Sequence, residues 1–195
     1  MSSGLDLGDP TAVALAAFRA LHSAGIEAAL YGGLALAAYG EPRETRDADF
    51  AVVGVPGPEA LTALKQAAHQ STLSFDRMPF GGNMVSRIAL VEGGGAAGLN
   101  VVDLVEPRSP RFARAAQGRA ITGALRQVSI RVLAPEDFVL FKILSTRDRD
   151  LEDAATVLRT LGVQLDRSLI EAEVHTLAIE IPDHDVAGRL ARLPA

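Results

Sequence analysis

The order of apolar patterns along the 195 residues predicts an α+β fold, with a mixed β-sheet core over residues 1–133 and a helical segment over 134–195 packed on it as one compact unit. Three observations carry this. Short apolar runs of strand character, "IEAALY", "DADFAVVGV", "MVSRIALVE" and "GLNVVDLVEP", recur through the first two thirds among helical patterns. From "APEDFVLFKILS" onward the periodicity is helical. An apolar content of 48% is enough for one sizeable core, and the length suits one domain better than two.

Taken in order, residues 11–24 are alanine-rich with Leu15, Phe18 and Leu21 near helical spacing, and Gly25 is placed to end that helix. "IEAALY" reads as a short buried strand. Gly32 and Gly33 turn the chain into a short helix, "LALAAYG", which closes at Gly40. A polar loop leads to the strand "DADFAVVGV". A helix is expected over 57–70, with proline and glutamate in its first turn, and no element is assigned between it and "MVSRIALVE". That strand and "GLNVVDLVEP" should form a hairpin whose tip is the glycine-rich loop 93–98. "PRFARAAQG" reads as a helix and "LRQVSIRVL" as one further strand. Helices over 134–145, 148–161 and 167–179 complete the chain, the first marked by Pro135 with acids directly behind it.

Composition excludes several classes. No apolar run approaches the roughly 20 residues of a membrane-spanning helix, and "MSSGLDLGDP" lacks the basic and apolar stretches of a secretory signal, so a cytoplasmic location is expected. The absence of cysteine excludes disulfides and thiolate metal sites and leaves carboxylates as the metal ligands. His22, His69, His175 and His184 show no ligand spacing. A net charge of −5 argues against a surface that binds nucleic acid all over, yet the stretch from Pro107 to Pro135 holds six arginines and no acid until Glu136.

The chemistry concentrates in "YGGLALAAYGEPRETRDADF", residues 31–50. On a strand, residues two apart share a face, so Asp47 and Asp49 point the same way and repel unless a cation, a proton or water separates them. Asp103, inside "NVVDLV", occupies a position that a strand gives to an aliphatic residue. If the strands of Asp49 and Asp103 are neighbours, three carboxylates converge into a cage for Mg²⁺ (or Mn²⁺). A Gly-Gly turn at a helix start suits phosphate. Together they point to phosphoryl or nucleotidyl transfer.

Over roughly residues 26–161 the chain resembles the nucleotidyltransferase superfamily that includes DNA polymerase beta, and more narrowly the small bacterial AbiEii-like, abortive-infection nucleotidyltransferases, whose signature is Gly-Gly followed by Arg-x-Thr-x-Asp-x-Asp. Here these are Gly32, Gly33, Arg43, Thr45, Asp47 and Asp49. Lys142, with Arg147 and Asp150 a turn later, matches the branch's later helix. The resemblance implies a catalytic core over 1–133 and metal-dependent transfer of an NMP from an NTP (ATP among them). Asp47 and Asp49 would hold both metals, and Asp103 would face the catalytic metal and the attacking hydroxyl. Gly32, Gly33, Arg43, Thr45 and Lys142 would bind the nucleotide. The acceptor would be a tRNA, a protein or a small molecule, and an antitoxin would be a partner. Gly33 departs from the pattern, since many members carry serine there.

Each residue also has a plainer reading. Asp103 could pair with a buried arginine, Lys142 could snorkel from an amphipathic helix, and Arg147, Asp150 and Asp153 have the spacing of an ordinary surface ion network. Arg111 and Arg114, three apart on one helix face, are candidates for the acceptor-facing surface, against the alternative of a solvated arginine face. A non-catalytic nucleotide-binding or protein-interaction module of the same fold is the alternative to an enzyme.

Overall fold

The computed structural model describes residues 5–68, 70–91 and 98–194. His69 and most of the expected hairpin tip at 93–98 therefore lie outside the described residues. Helix α1 (Pro10–Ser23) starts where Asp9 accepts hydrogen bonds from the backbone of Thr11 and Ala12, and it buries Val13, Ala14, Ala17 and Leu21. Strand β1 (Ala28–Tyr31) is wholly buried and runs into the four-residue helix α2 (Gly32–Ala35), which tightens into a 3-10 turn over Leu36–Tyr39. Strand β2 (Ala48–Val52) follows, then helix α3 (Gly57–Leu64), strands β3 (Gln70–Phe80), β4 (Asn83–Val91) and β5 (Leu99–Pro107), and helix α4 (Pro110–Arg119). Strands β6 (Ile121–Leu125) and β7 (Val128–Val132) precede helices α5 (Pro135–Leu144), α6 (Asp148–Leu161), α7 (Arg167–Glu180) and α8 (Val186–Ala191).

The strands form one mixed sheet in the order β3-β4-β5-β2-β1-β7-β6. β2 and β5 are parallel, as are β1 and β7, and the remaining neighbours are antiparallel. Register then creates a single transverse row: Tyr31 lies opposite Asp49, Asp49 opposite Asp103, Asp103 opposite Arg87, and Arg87 opposite Phe75. Directly opposed residues share a face of the sheet, so the row places all five side chains on one surface.

Helix α5 packs on the Tyr31 end of that row. Its residues Asp137–Leu144 are all buried, and Phe138 and Phe141 meet the Tyr31 ring at centroid distances of 5.5 and 5.4 Å. Ion pairs tie the C-terminal helices to α4, with Arg119 on Asp137 at 2.6 Å and Arg111 on Glu173 at 2.8 Å.

Three expectations about elements are corrected. The helix expected to reach residue 70 ends at Leu64, and β3 fills the unassigned interval. β3 is an exposed edge strand with two register shifts, which is why its sequence shows no clean alternation and why Pro79 is tolerated in it. The single strand expected over 125–133 is the hairpin β6–β7, turned at Arg126 and Gln127, both with positive φ. Helix α8 was not expected. The Gly81-Gly82 pair between β3 and β4 was a legible hairpin signal, since two-residue loops of this kind favour glycine.

Candidate active site

The row of opposed residues opens onto a cavity of ≈ 540 Å³ lined by Asp47, Asp49 and Asp103 together with Thr45, Lys142 and four arginines, 43, 46, 147 and 149. Asp47 precedes β2 and Asp49 lies within it, so the expected pair does face one space. The expected neighbouring of the two acid-bearing strands is present too, with Asp49 and Asp103 in direct register. Neither Asp47 nor Asp49 has a side-chain hydrogen bond or ion pair among the described residues. Burial above all, and then the charge of Asp103, push the Asp49 carboxyl up to about 7, against the opposing effect of Lys142.

Asp103 is in a different state. Both its oxygens accept from Arg87, at 2.8 Å from Nε and 2.6 Å from Nη2, in a fork-to-fork pair across antiparallel β4 and β5. The guanidinium lies over the Phe75 ring at 5.5 Å. Among the described residues, no three acidic or imidazole groups are already gathered closely enough to hold a metal ion. The donor chemistry nevertheless fits a hard divalent cation: two partnerless carboxylates, a third in register with one of them, and oxygen ligands only. Full use of Asp103 as a ligand requires Arg87 to release it.

Lys142 lines the cavity without being free in it. It is 2% exposed, bonds Asp150 at 2.6 Å and Asp153 at 3.0 Å, and sits over the Tyr31 ring at 4.8 Å. Arg43 bonds the same Asp153 at 3.0 and 2.9 Å, and Arg147 bonds Asp150 at 2.8 Å. The surface ion network expected of Arg147, Asp150 and Asp153 is therefore corrected: the two acids are buried and form the centre of a clamp joining the loop before β2 to α5 and α6. Burial would raise the Asp150 carboxyl, but Lys142, the Ser145 hydroxyl and Arg147 outweigh it and hold it down at about 2.

Neither Gly32 nor Gly33 lines the cavity, but both pack closely against residues that do. At Gly32 φ is +69° and a Cβ would fall 2.0 Å from Oδ2 of Asp49, while at Gly33 a Cβ would fall 2.7 Å from Cβ of Thr45. The helix they open is only one turn long. Arg111 and Arg114 are also away from the acids. β5 carries the chain beyond Asp103 before α4 begins, Arg111 is neutralised by Glu173 and Glu180, and Arg114 borders a separate depression with Val53 and Gly54, past the far end of β2. The joint positive patch expected of these two residues does not form.

Three cavity residues escaped the sequence reading: Glu44, Arg46 and Arg149. Arg46 and Arg149 line the same cavity as the acids and have no ion-pair partner among the described residues. Arg46 was legible in principle, as it stands between Thr45 and Asp47 in the same motif.

A mixed sheet that brings Asp-x-Asp into register with a third aspartate, beside a cavity rich in arginine, defines a nucleotidyltransferase. The chain belongs to the AbiEii family, described as "Nucleotidyl transferase AbiEii toxin, Type IV TA system", which matches residues 13–180. Among solved structures, it is similar to an antigenic nucleotidyltransferase-like protein from Paracoccidioides brasiliensis, with 18% identity, a TM-score of 0.53 and coverage of 97% of this chain and 94% of that one. The solution structure of the antibiotic-resistance factor ANT(2'')-Ia aligns with a TM-score of 0.56 at 15% identity, over 87% and 93% of the two chains. ANT(2'')-Ia in complex with adenylyl-2''-tobramycin aligns at 0.52 and 13% identity, over 93% and 97%. At such identities the likeness is one of fold. A comparison with curated proteins finds no match. No helix among the described residues is long and apolar enough to cross a membrane.

Proposed function

We propose that the protein transfers an NMP from an NTP to an acceptor hydroxyl in a reaction that depends on Mg²⁺ or Mn²⁺ bound by Asp47 and Asp49. The observation that carries this is the direct register of Asp49 and Asp103 at the edge of a cavity that also presents Arg46 and Arg149, cations with no ion-pair partner among the described residues. The two arginines bind the triphosphate, with Thr45 beside them. Asp103 orients the acceptor hydroxyl and takes its proton once Arg87 has swung away. The hydroxyl oxygen bonds to the α-phosphorus, the bond from that phosphorus to the α–β bridging oxygen breaks, and pyrophosphate leaves. A bound divalent cation supplies charge neutralisation to the phosphates and lowers the pKa of the attacking hydroxyl.

The family's description supports a toxin role with an antitoxin partner. We favour a tRNA as acceptor and a cytoplasmic setting; a protein or a small molecule, such as the tobramycin named with ANT(2'')-Ia, is the competing acceptor. A second reading, a nucleotide-binding or protein-interaction module without catalysis, draws on the occupation of both Asp103 oxygens by Arg87.

The test is incubation with each labelled NTP, Mg²⁺ or Mn²⁺, and in turn total tRNA, a protein extract and an aminoglycoside, reading labelled product and pyrophosphate. Transfer that disappears with Asp47→Asn and Asp49→Asn supports the reading. NTP binding with no pyrophosphate under any condition supports the module instead.

A further inference from the structure

The corner between α5 and α6 supplies wall residues to two spaces. Arg147, Arg149 and Asp150 line the cavity of the acids, and Arg147 and Asp150 also border a smaller one, of ≈ 220 Å³, walled by Phe75 and Phe80. Arg189, on α8, lines neither, yet it bonds the corner on both sides: its Nε donates to the Ile143 carbonyl at 2.9 Å and its Nη2 to the Arg147 carbonyl at 3.0 Å. We propose that Arg189 is a positioning residue for nucleotidyl transfer, which holds this corner so that Arg149 presents its guanidinium to the triphosphate; the proposal rests on the nucleotidyl-transfer reading above.

The two carbonyls are the first argument. Ile143 lies in the last turn of α5, where main-chain oxygens lack intrahelical partners, and Arg147 is the N-cap of α6. One planar fork therefore spans the end of one helix and the start of the next. Two further groups hold the α5 side alone: His184 bonds the same Ile143 carbonyl at 3.0 Å, and the Gly82 N–H donates to that of Leu144 at 2.7 Å. The clamp of Lys142 on Asp150 and Asp153 holds α6 by side chains, whereas Arg189 holds the main chain of the corner itself. The other contact of α8 with the start of α6, Arg192 on Asp148, is exposed at both ends and worth little.

The cost of the arrangement is the second argument. Arg189 is 9% exposed and has no ion-pair partner among the described residues. Burial, and then the charge of Arg192, pull its guanidinium below its ordinary value. A cation taken out of water without a carboxylate to meet it is expensive. An aliphatic side chain would pack α8 without that penalty, so the gain lies in what the fork holds in place. Arg149 shows what that is: it too has no ion-pair partner among the described residues, so the main chain of the corner decides where its guanidinium sits in the cavity.

The experiment measures binding of inorganic triphosphate, and of the NTP that the parent binds best, each with Mg²⁺ and by calorimetry, at a temperature where circular dichroism shows the proteins folded. Expected for Arg189→Met is a rise of about ten-fold or more in Kd for both ligands, as a misplaced binding group gives, with the number of sites per chain unchanged. A residue that served folding alone would lower the number of sites and leave Kd at the parent value, and that result overturns the proposal. Arg189→Lys keeps the cation and has no fork to span both carbonyls, so it folds even where Arg189→Met does not, and its Kd rises too. A parent-like Kd in Arg189→Lys overturns the proposal. Arg192→Met breaks only the exposed pair and binds both ligands as the parent does; a rise equal to that of Arg189→Met would make the docking of α8 as a whole responsible and overturn the assignment to Arg189. Each of these overturning results leaves the nucleotidyl-transfer reading in place. A parent that binds neither ligand overturns that reading and the proposal with it.

Discussion

Arg87 grips Asp103 with two hydrogen bonds at the point where three carboxylates should converge, so the third acid is neutralised by protein. The pair is half open to water on the arginine side and buried on the aspartate side. Removing the arginine strands a buried charge, which is more damaging than losing a surface pair.

Arg87→Met should therefore lower stability in EDTA by roughly 1–3 kcal/mol and increase the stabilisation gained from Mn²⁺, because the freed Asp103 becomes an available ligand. Thermal melts of parent and variant with and without Mn²⁺ check this. Equal metal-induced shifts in both proteins would show that Arg87 does not compete for the site.

Asp49 predicts a pH dependence of opposite sign to that of a paired carboxylate. Its native pKa of about 7 lies above the ordinary unfolded value. The native state thus holds the proton more tightly, and stability is lost as pH rises from about 4 through 7. Asp49→Asn removes that loss. Without metal the variant should match the parent near pH 4 and exceed it by up to about 4 kcal/mol at pH 8, read as a gap in Tm that widens with pH. A constant gap would contradict the assignment.

Lys142 is expected to matter first for folding. Lys142→Met leaves Asp150 buried with Arg147 and Ser145 and leaves Asp153 with Arg43, at a cost of about 3–5 kcal/mol. Lys142→Met/Asp150→Asn should recover part of it. If the double variant refolds to parent stability but still fails to bind NTP in calorimetry, Lys142 contacts the nucleotide directly.

Gly33→Val tests what the turn does. A side chain there collides with Thr45 and Arg43 and should displace the loop carrying Arg46 and Asp47. NTP affinity should drop about ten-fold or more, since a misplaced ligand-binding group commonly has such an effect. Unchanged affinity would mean that the loop holds its position without the glycine.

Arg111 and Arg114 should separate. Arg111→Glu places a third acid beside Glu173 and Glu180 and should lower Tm, whereas Arg114→Glu should leave Tm, NTP binding and tRNA binding near parent values. A salt slope of tRNA binding made shallower by Arg114→Glu alone would return the acceptor surface to α4.

The acids were legible because their signal is local: two aspartates at strand spacing and a lone aspartate between aliphatic residues need no knowledge of topology. Arg87 was not, because its partner is chosen by the register of β4 on β5, which the sequence does not print. Lys142 and Asp150 were noticed, but their spacing spans the corner between two helices, where helical periodicity no longer tells which side chains meet. β3 escaped for an energetic reason. An edge strand buries little, so selection on its pattern is weak, and its aromatic residues serve a cavity rather than a core.

The transverse row from Tyr31 to Phe75 also dictates when the site can come into being. Each neighbouring pair in it joins strands of different sequence separation, and the pairing of Asp49 with Asp103 closes a long loop between parallel strands. Such contacts reward the chain only after their loop-closure entropy has been met, so they form slowly and together. No fragment ending before β5 can hold the acids opposite each other. A growing chain thus carries its reactive residues harmlessly apart until most of its length has been made.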